Sequence, residues 1–328
     1  MLNSRSCRKF KPGRDEAIFK KYGWSVLGVC VVAVSAWLLY REVSGLSLED
    51  VGDSLAAISP MHWTLAVLGA LVAYAALAGY DSLALRYLGR RVSRIFITLT
   101  SFTTYALSHN LGASVLSGSL IRYRAYSSKG LTGLEIGQLV AFCSFTFALG
   151  TVILTGIVLI IDPTIAIRFF DQMSLQLVRA AGVFLLLLVA AYVCGSWRQL
   201  KPFKIGPLKI EYPNLRIVIL QLIIGPLELL GAAAIIYFAL PHIGNPGYLT
   251  ILGLFLLSFS AALISSAPGG LGVLELLFVN SLPEVPASDV LAALIVFRLL
   301  YLLIPFAASL VIVLLFERNS LKAQKKVA

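Results

Sequence analysis

The sequence predicts an all-α polytopic membrane protein: about six full-spanning helices plus two re-entrant helical hairpins arranged as an inverted repeat, up to eight membrane segments in all. Three observations predict it. Of the 328 residues, 59% are hydrophobic and 13% charged, whereas a soluble domain carries about 25% charged residues. Several apolar runs reach the roughly 20 residues that cross a bilayer. Two further apolar stretches are interrupted by Gly, Ser or Pro, and a broken helix at membrane depth persists only where it is buried in protein or lines a wet cavity.

The net charge of +11 does not point to nucleic acid. Lys and Arg gather between apolar runs, as the positive-inside rule expects of cytoplasmic loops, and no aromatic–basic interleaving that would stack bases is present. Cys7, Cys30, Cys143 and Cys194 are far apart, without metal-ligand spacing. No metal or cofactor is expected.

Residues 1–22 form a basic tail expected on the cytoplasmic side. The apolar run 23–40 is long for a cleavable signal and is read as an uncleaved first helix. Glu42, Glu49, Asp50 and Asp53 follow, which places that loop outside. Within it, Leu48, Val51, Leu55 and Ile58 have the spacing of a short amphipathic surface helix. A helix over 62–80 returns inward to Arg86, Arg90, Arg91 and Arg94.

Residues 95–118 are long enough to span but rich in Thr, Ser and Gly. If they crossed, Arg122, Arg124 and Lys129 would lie outside, against the charge rule. A re-entrant hairpin on the cytoplasmic side removes the conflict. Helices over 134–161 and 179–197 follow, then a basic loop through Lys201, Lys204 and Lys209 whose two Pro-containing halves have the makings of a small hairpin. A helix over 215–240 leads to 248–282, which enters and leaves on the outer side. The last helix, 287–316, ends in a basic tail, 318–328. Within the membrane domain, 23–317, segments 62–161 and 215–316 then have the same order with opposite orientation. Inverted repeats with broken helices are a transporter architecture.

The chemistry-bearing residues lie deep. Glu228 sits about 20 Å into its helix and Arg298 about 16 Å into the last, at about 1.5 Å per residue. Gln221, Gly225, Glu228 and Ala232 share one helical face, as do Arg298, Tyr301 and Pro305. The stretch SSAPGGLGVLELLF at 265–278 breaks the second hairpin at Pro268, Gly269, Gly270 and Gly272 and places Glu275 one turn later. A half-helix beginning there would turn free amides toward an anion, and the Arg298 guanidinium suits phosphate. Two readings follow. In one, Arg298 neutralises Glu228 or Glu275 as a structural ion pair. In the other, these charges meet a phospholipid headgroup. Arg122 and Arg124 are candidates for phosphate contact at the inner face or ordinary cytoplasmic anchors. Asp81, at the expected inner end of its helix, has Arg86 or the helix terminus as its simplest partner. Asn110 is placed to satisfy backbone in the first hairpin. Protease, hydrolase and nucleotide motifs are absent, so no catalytic residue is assigned.

At these residues the chain resembles a known family. APGGLGVLE, followed by FRLLYLLIP, and the stretch NLGASVLSGSLIRYRAYS are similar to the membrane region of lysylphosphatidylglycerol synthetases, the flippase half of the bacterial multiple peptide resistance factor. The resemblance covers nearly the whole chain. It implies a bacterial inner-membrane protein that moves aminoacylated phosphatidylglycerol between leaflets, and roles for Glu228, Glu275, Arg298 and Asp81. Full-length family members continue into a soluble aminoacyl-transferase domain, whereas this sequence stops at Ala328. A split flippase half or a stand-alone relative is therefore expected. The alternative is a non-transporting partner that binds a lipid or polyprenyl-phosphate for a separate aminoacyl- or glycosyl-transferase. Nothing in the sequence sets the oligomeric state.

Overall fold

The computed structural model describes residues 48–111, 114–169, 173–199, 203–205, 208–210, 212–265 and 270–327. The helix expected over 23–40, and Pro268 and Gly269 of the second break, lie outside the described residues. Among the described residues, six helices are long and apolar enough to cross a membrane, and the fold is all-helical apart from one short hairpin in a loop.

The amphipathic pattern after the first apolar run folds as helix α1 (Leu48–Ala56). Helix α2 (Pro60–Tyr87) starts where Ser59 accepts a hydrogen bond from the His62 amide and Pro60 occupies the first turn, a position where its missing N–H costs nothing. This helix continues well beyond the expected end near residue 80. Asp81 is therefore not at a helix terminus; it lies inside α2, between buried Tyr80 and Leu83. Apolar residues continue through Ala84 and Leu85, so the helix has a face to bury and no reason to stop.

The next segment forms two arms, α3 (Arg94–Leu111) and α4 (Ser114–Ser127), packed against each other. At 1.5 Å per residue they are about 27 and 21 Å long, shorter than the roughly 30 Å apolar core of a bilayer. Arm α3 buries a polar face: Ser101 and Thr104 are fully enclosed and Ser108 nearly so. Ser101 donates to the Leu77 carbonyl of α2 at 2.9 Å.

Helix α5 (Gly133–Ile161) opens on a reciprocal cap between Thr132 and Glu135, which satisfies two otherwise unpaired amides. A single turn, α6 (Thr164–Ile167), leads to α7 (Leu175–Trp197). The basic loop carries a short antiparallel pair, β1 (Phe203–Ile205) and β2 (Leu208–Ile210), with Lys204 opposite Lys209.

Helix α8 (Leu215–Ala239) is the axis of the molecule, buried against α2, α5, α9 and α11. Small residues let it approach its neighbours. A Cβ added at Gly231 would lie 2.6 Å from the Gly69 carbonyl oxygen, and one at Gly225 would lie 2.8 Å from that of Thr146. In an apolar solvent, where burying a Leu gains little, such close backbone contact is a main source of helix association.

The second interrupted stretch comprises α9 (Tyr248–Ser265) and the nine-residue α10 (Val273–Ser281). Alone, α9 is long enough to span. The α10 arm, about 14 Å long, is not. Between them, Gly270 and Gly272 hold φ angles of +65° and +78°, a region that side chains disfavour.

The last helix is not uniform. It runs as α11 (Ala287–Phe297), a π-helical turn over Arg298–Leu303, and α12 (Ile304–Val327). The cause is Pro305, which has no N–H to offer the Tyr301 carbonyl and whose ring crowds it. The freed carbonyls are met from outside the helix. Tyr74 of α2 donates to Tyr301 O at 2.9 Å, and Asn110 of α3 to Leu302 O at 3.1 Å. Such widened turns occur often at functional sites. Asn110 thus serves backbone in the last helix as well as in its own hairpin, where it donates to Ala106 O at 2.8 Å.

Candidate functional site

The deep charges sort into three clusters. In the first, Asp81 on α2 faces Arg122 on α4. The guanidinium meets the carboxylate with two nitrogens, Nη2 at 2.7 Å and Nε at 3.3 Å. Tyr126, one turn further along α4, donates to Asp81 at 2.8 Å, and the Cys143 thiol approaches at 3.4 Å. The Arg122 guanidinium also lies 4.7 Å from the centre of the Tyr105 ring. Arg122 is thus turned into the protein and paired, with 5% of its surface exposed, while Arg124 on the same arm is exposed. The partner of Asp81 is Arg122, not Arg86.

In the second cluster, Glu228 on α8 accepts hydrogen bonds from the Tyr301 hydroxyl and, at 3.4 Å, from that of Tyr80. Tyr80 donates also to the Gly225 carbonyl at 3.0 Å. The carboxylate is 1% exposed. Among the described residues its side-chain partners are these two phenols, so Arg298 does not neutralise it. The face predicted for this helix is correct: Gln221, Gly225, Glu228 and Ala232 are all buried. Gln221 extends the polar seam, donating to Thr146 at 2.9 Å and accepting from Tyr192 at 2.7 Å.

In the third cluster, Arg298, the first residue of the π turn, pairs with Glu275 of α10 through Nε and Nη2. The other Glu275 oxygen accepts the Gly272 amide at 2.9 Å. Glu275 therefore closes the N-terminus of its own half-helix, at the place where an anion was expected to meet that amide. This pair is less enclosed than the first, with 11% of the Glu275 side chain and 15% of the Arg298 side chain exposed.

The first two clusters meet at one cavity. A space of about 250 Å³ is lined by Tyr105, Ser108, His109 and Arg122 of the first hairpin, Cys143 and Ser144 of α5, Glu228 of α8 and Phe259 of α9, among others. It brings one guanidinium and one carboxylate to a single, partly open space within an apolar bundle. Intramembrane ionisable groups of this kind line substrate pathways, proton relays or counter-ion sites. The Glu275–Arg298 pair is not in the cavity wall. It adjoins it through Tyr301, three residues after Arg298 in the π turn and bonded to Glu228. Among the described residues no cluster of His, Cys, Asp and Glu has the arrangement of a metal site.

Several residues that shape the site carry no sequence signal of their own. Tyr80, Tyr105 and His109 look like ordinary members of apolar or Thr-rich helices. Tyr126 had a faint one: it follows Arg122 by four residues, the spacing of side chains on one helical face.

Comparison with known proteins bears on the same region. Residues 25–309 match the family described as lysylphosphatidylglycerol synthase TM region. The chain is 30% identical over 294 residues to the uncharacterized protein slr0712 of Synechocystis, covering 88% of this chain and 90% of that one. It is 30% identical over 262 residues to inner membrane protein YbhN of Escherichia coli, covering 78% and 80%. It is 25% identical over 285 residues to phosphatidylglycerol lysyltransferase of Staphylococcus aureus; here the match covers 84% of this chain but 32% of the relative. This multi-pass membrane protein belongs to the lysylphosphatidylglycerol synthase TM region family.

Proposed function

We propose that the protein is a flippase-like transporter of the bacterial inner membrane, with both termini cytoplasmic, that binds and translocates an anionic or aminoacylated phospholipid such as lysyl-phosphatidylglycerol. The observation that carries this reading is the cavity, in which Arg122 and Glu228 share a volume large enough for part of a headgroup. A zwitterionic or aminoacylated headgroup has the matching pair of charges: phosphate toward the guanidinium, ammonium toward the carboxylate. The names of the staphylococcal relatives point to the same lipid class.

The arrangement of elements supports it. We read 62–161 and 215–316 as an inverted repeat, each with a broken hairpin between two longer helices. The cavity walls come from both halves: α3, α4 and α5 from the first, α8 and α9 from the second. A site at the seam of two repeats is where rocking of one against the other alternates its access. Pro226 and the π turn loosen two of the helices at this seam. The chain acts here as a non-catalytic lipid carrier.

The test is reconstitution in proteoliposomes with labelled lysyl-phosphatidylglycerol. Wild type should move label across the bilayer, and Glu228→Gln, which keeps the shape and one acceptor oxygen but removes the charge, should slow this by about tenfold or more, the scale of one charge-assisted contact. Equal rates for the two would remove Glu228 from the pathway. Lipid binding by the wild type with no translocation would turn the reading to the alternative, a lipid- or polyprenyl-phosphate-binding partner of a separate transferase.

A further inference from the structure

We infer that His109 is a lipid-binding residue, and that its buried ring nitrogen Nδ1 is completed by a headgroup oxygen entering the cavity. The inference rests on the cavity being a headgroup site and adds to it a residue that neither charge nor family motif singled out.

The ring is held in place by stacking. It lies 5.3 Å from the Tyr301 ring at an interplanar angle of 19°, 5.8 Å from that of Tyr105, and edge-on to Phe259 at 6.4 Å. These contacts fix the imidazole plane, and Tyr301 is itself fixed by its bond to Glu228. Nδ1 is buried and has no hydrogen-bond partner among the described residues. Buried polar atoms in proteins are nearly always paired, and each exception has a cause. His109 lines the cavity, as do Ser108 and Arg122. An unpaired nitrogen on a stacked ring that shares a cavity with a guanidinium suits a phosphoester headgroup. Arg122 attracts the anionic group, and the neutral imidazole makes one directional bond to an oxygen of it, through whichever role its tautomer leaves at Nδ1. The oxygen is either a phosphate oxygen or a headgroup hydroxyl.

The stack explains why His and not a longer polar residue stands there. Any ring at this place would pack on Tyr301, but among the small rings only imidazole adds a nitrogen. His109→Phe keeps the ring, its stack and about its volume while removing both nitrogens. The experiment titrates the purified full-length protein in detergent with dihexanoyl-phosphatidylglycerol, alongside thermal unfolding without lipid. His109→Phe should weaken binding about tenfold, the scale of a hydrogen bond to a charged group. His109→Gln, which keeps a donor and an acceptor, should recover part of it. Unfolding of His109→Phe without lipid should occur at the same temperature or higher, because an unpaired buried polar atom has been removed.

Unchanged affinity in His109→Phe overturns the inference while leaving the headgroup site standing. Absence of saturable binding by the wild type overturns both. A second titration with dihexanoyl-phosphatidylethanol, which lacks the glycerol hydroxyls, identifies the oxygen. The same tenfold dependence on His109 assigns the phosphate, and loss of that dependence assigns the headgroup hydroxyl.

Discussion

Among the described residues, two carboxylate–guanidinium pairs lie in the apolar body of this protein, and they are built differently. Asp81–Arg122 joins a long helix to a hairpin arm. It is contacted by Tyr126, Cys143 and the Tyr105 ring, and the Asp81 side chain has no exposed surface, while Arg122 also lines the cavity. Glu275–Arg298 joins a nine-residue half-helix to a π turn. It leans on a backbone amide, and both side chains keep some exposure. The first has the construction of a strut. The second ties together two elements whose own backbones are interrupted, which is where a moving part would be fastened. Equal chemistry therefore does not imply equal role; the backbone that holds the charge decides how firmly it is held.

The sharpest way to break this comparison is to remove each cation. Arg122→Ala strands Asp81 in a dry site and should lower stability by about 3–5 kcal/mol, the range for an orphaned buried charge. Arg298→Ala leaves Glu275 with an amide donor in a less enclosed place, and should cost about 1–3 kcal/mol. Thermal unfolding in one detergent, with the two variants side by side, measures both. A larger loss for Arg298→Ala would reverse the assignment of strut and fastening.

A finer probe uses coupling. A double-mutant cycle on Asp81 and Arg122 should give a larger interaction energy than one on Glu275 and Arg298, by about 1 kcal/mol or more within the span known for contacting residues. Equal coupling would mean that enclosure adds nothing to the first pair.

The smallest effect concerns a third pair, outside the membrane-spanning helices. Arg168 bonds Glu284 at 2.7 Å and the Ser281 carbonyl at 2.7 Å, linking the loop after α6 to the end of α10. The Arg168 hydrogen bond holds the Glu284 carboxyl below its ordinary value. A carboxylate whose folded value is depressed contributes stability above the unfolded value, about 4.3, and loses it as pH falls through the folded one. Glu284→Gln should therefore unfold at a slightly lower temperature than wild type at neutral pH, and the difference should vanish at a pH well below 4. A difference that persists in acid would assign Glu284 a packing role instead.

Much of the site was legible residue by residue. Glu228, Glu275, Arg298 and Asp81 stood out because a charge in an apolar run is costly and needs a reason. The break at 268–272 stood out because Pro and Gly interrupt a helix. Their partners were not legible. Asp81 and Arg122 are 41 positions apart, and spacing alone offered Arg86 as readily. Arg298 had two acidic candidates at similar depth, and only the packing of α10 on α11 selected Glu275. His109 was hidden altogether, because an uncharged imidazole on a Thr-rich helix has no pattern to mark it.

By itself the sequence determined that this chain lives in a membrane, which runs form helices and which side chains are too polar for their surroundings. Those properties depend on local composition and on the cost of burying charge, and both are written along the chain. Tertiary structure alone decided that Arg122 turns inward to Asp81, that the carbonyls of the π turn are met by Tyr74 and Asn110, and that Arg122, His109 and Glu228 border one cavity. The physical reason is that pairing, enclosure and the meeting of a carbonyl are properties of neighbours in space, and here those neighbours come from helices far apart in sequence, drawn together at glycine contacts.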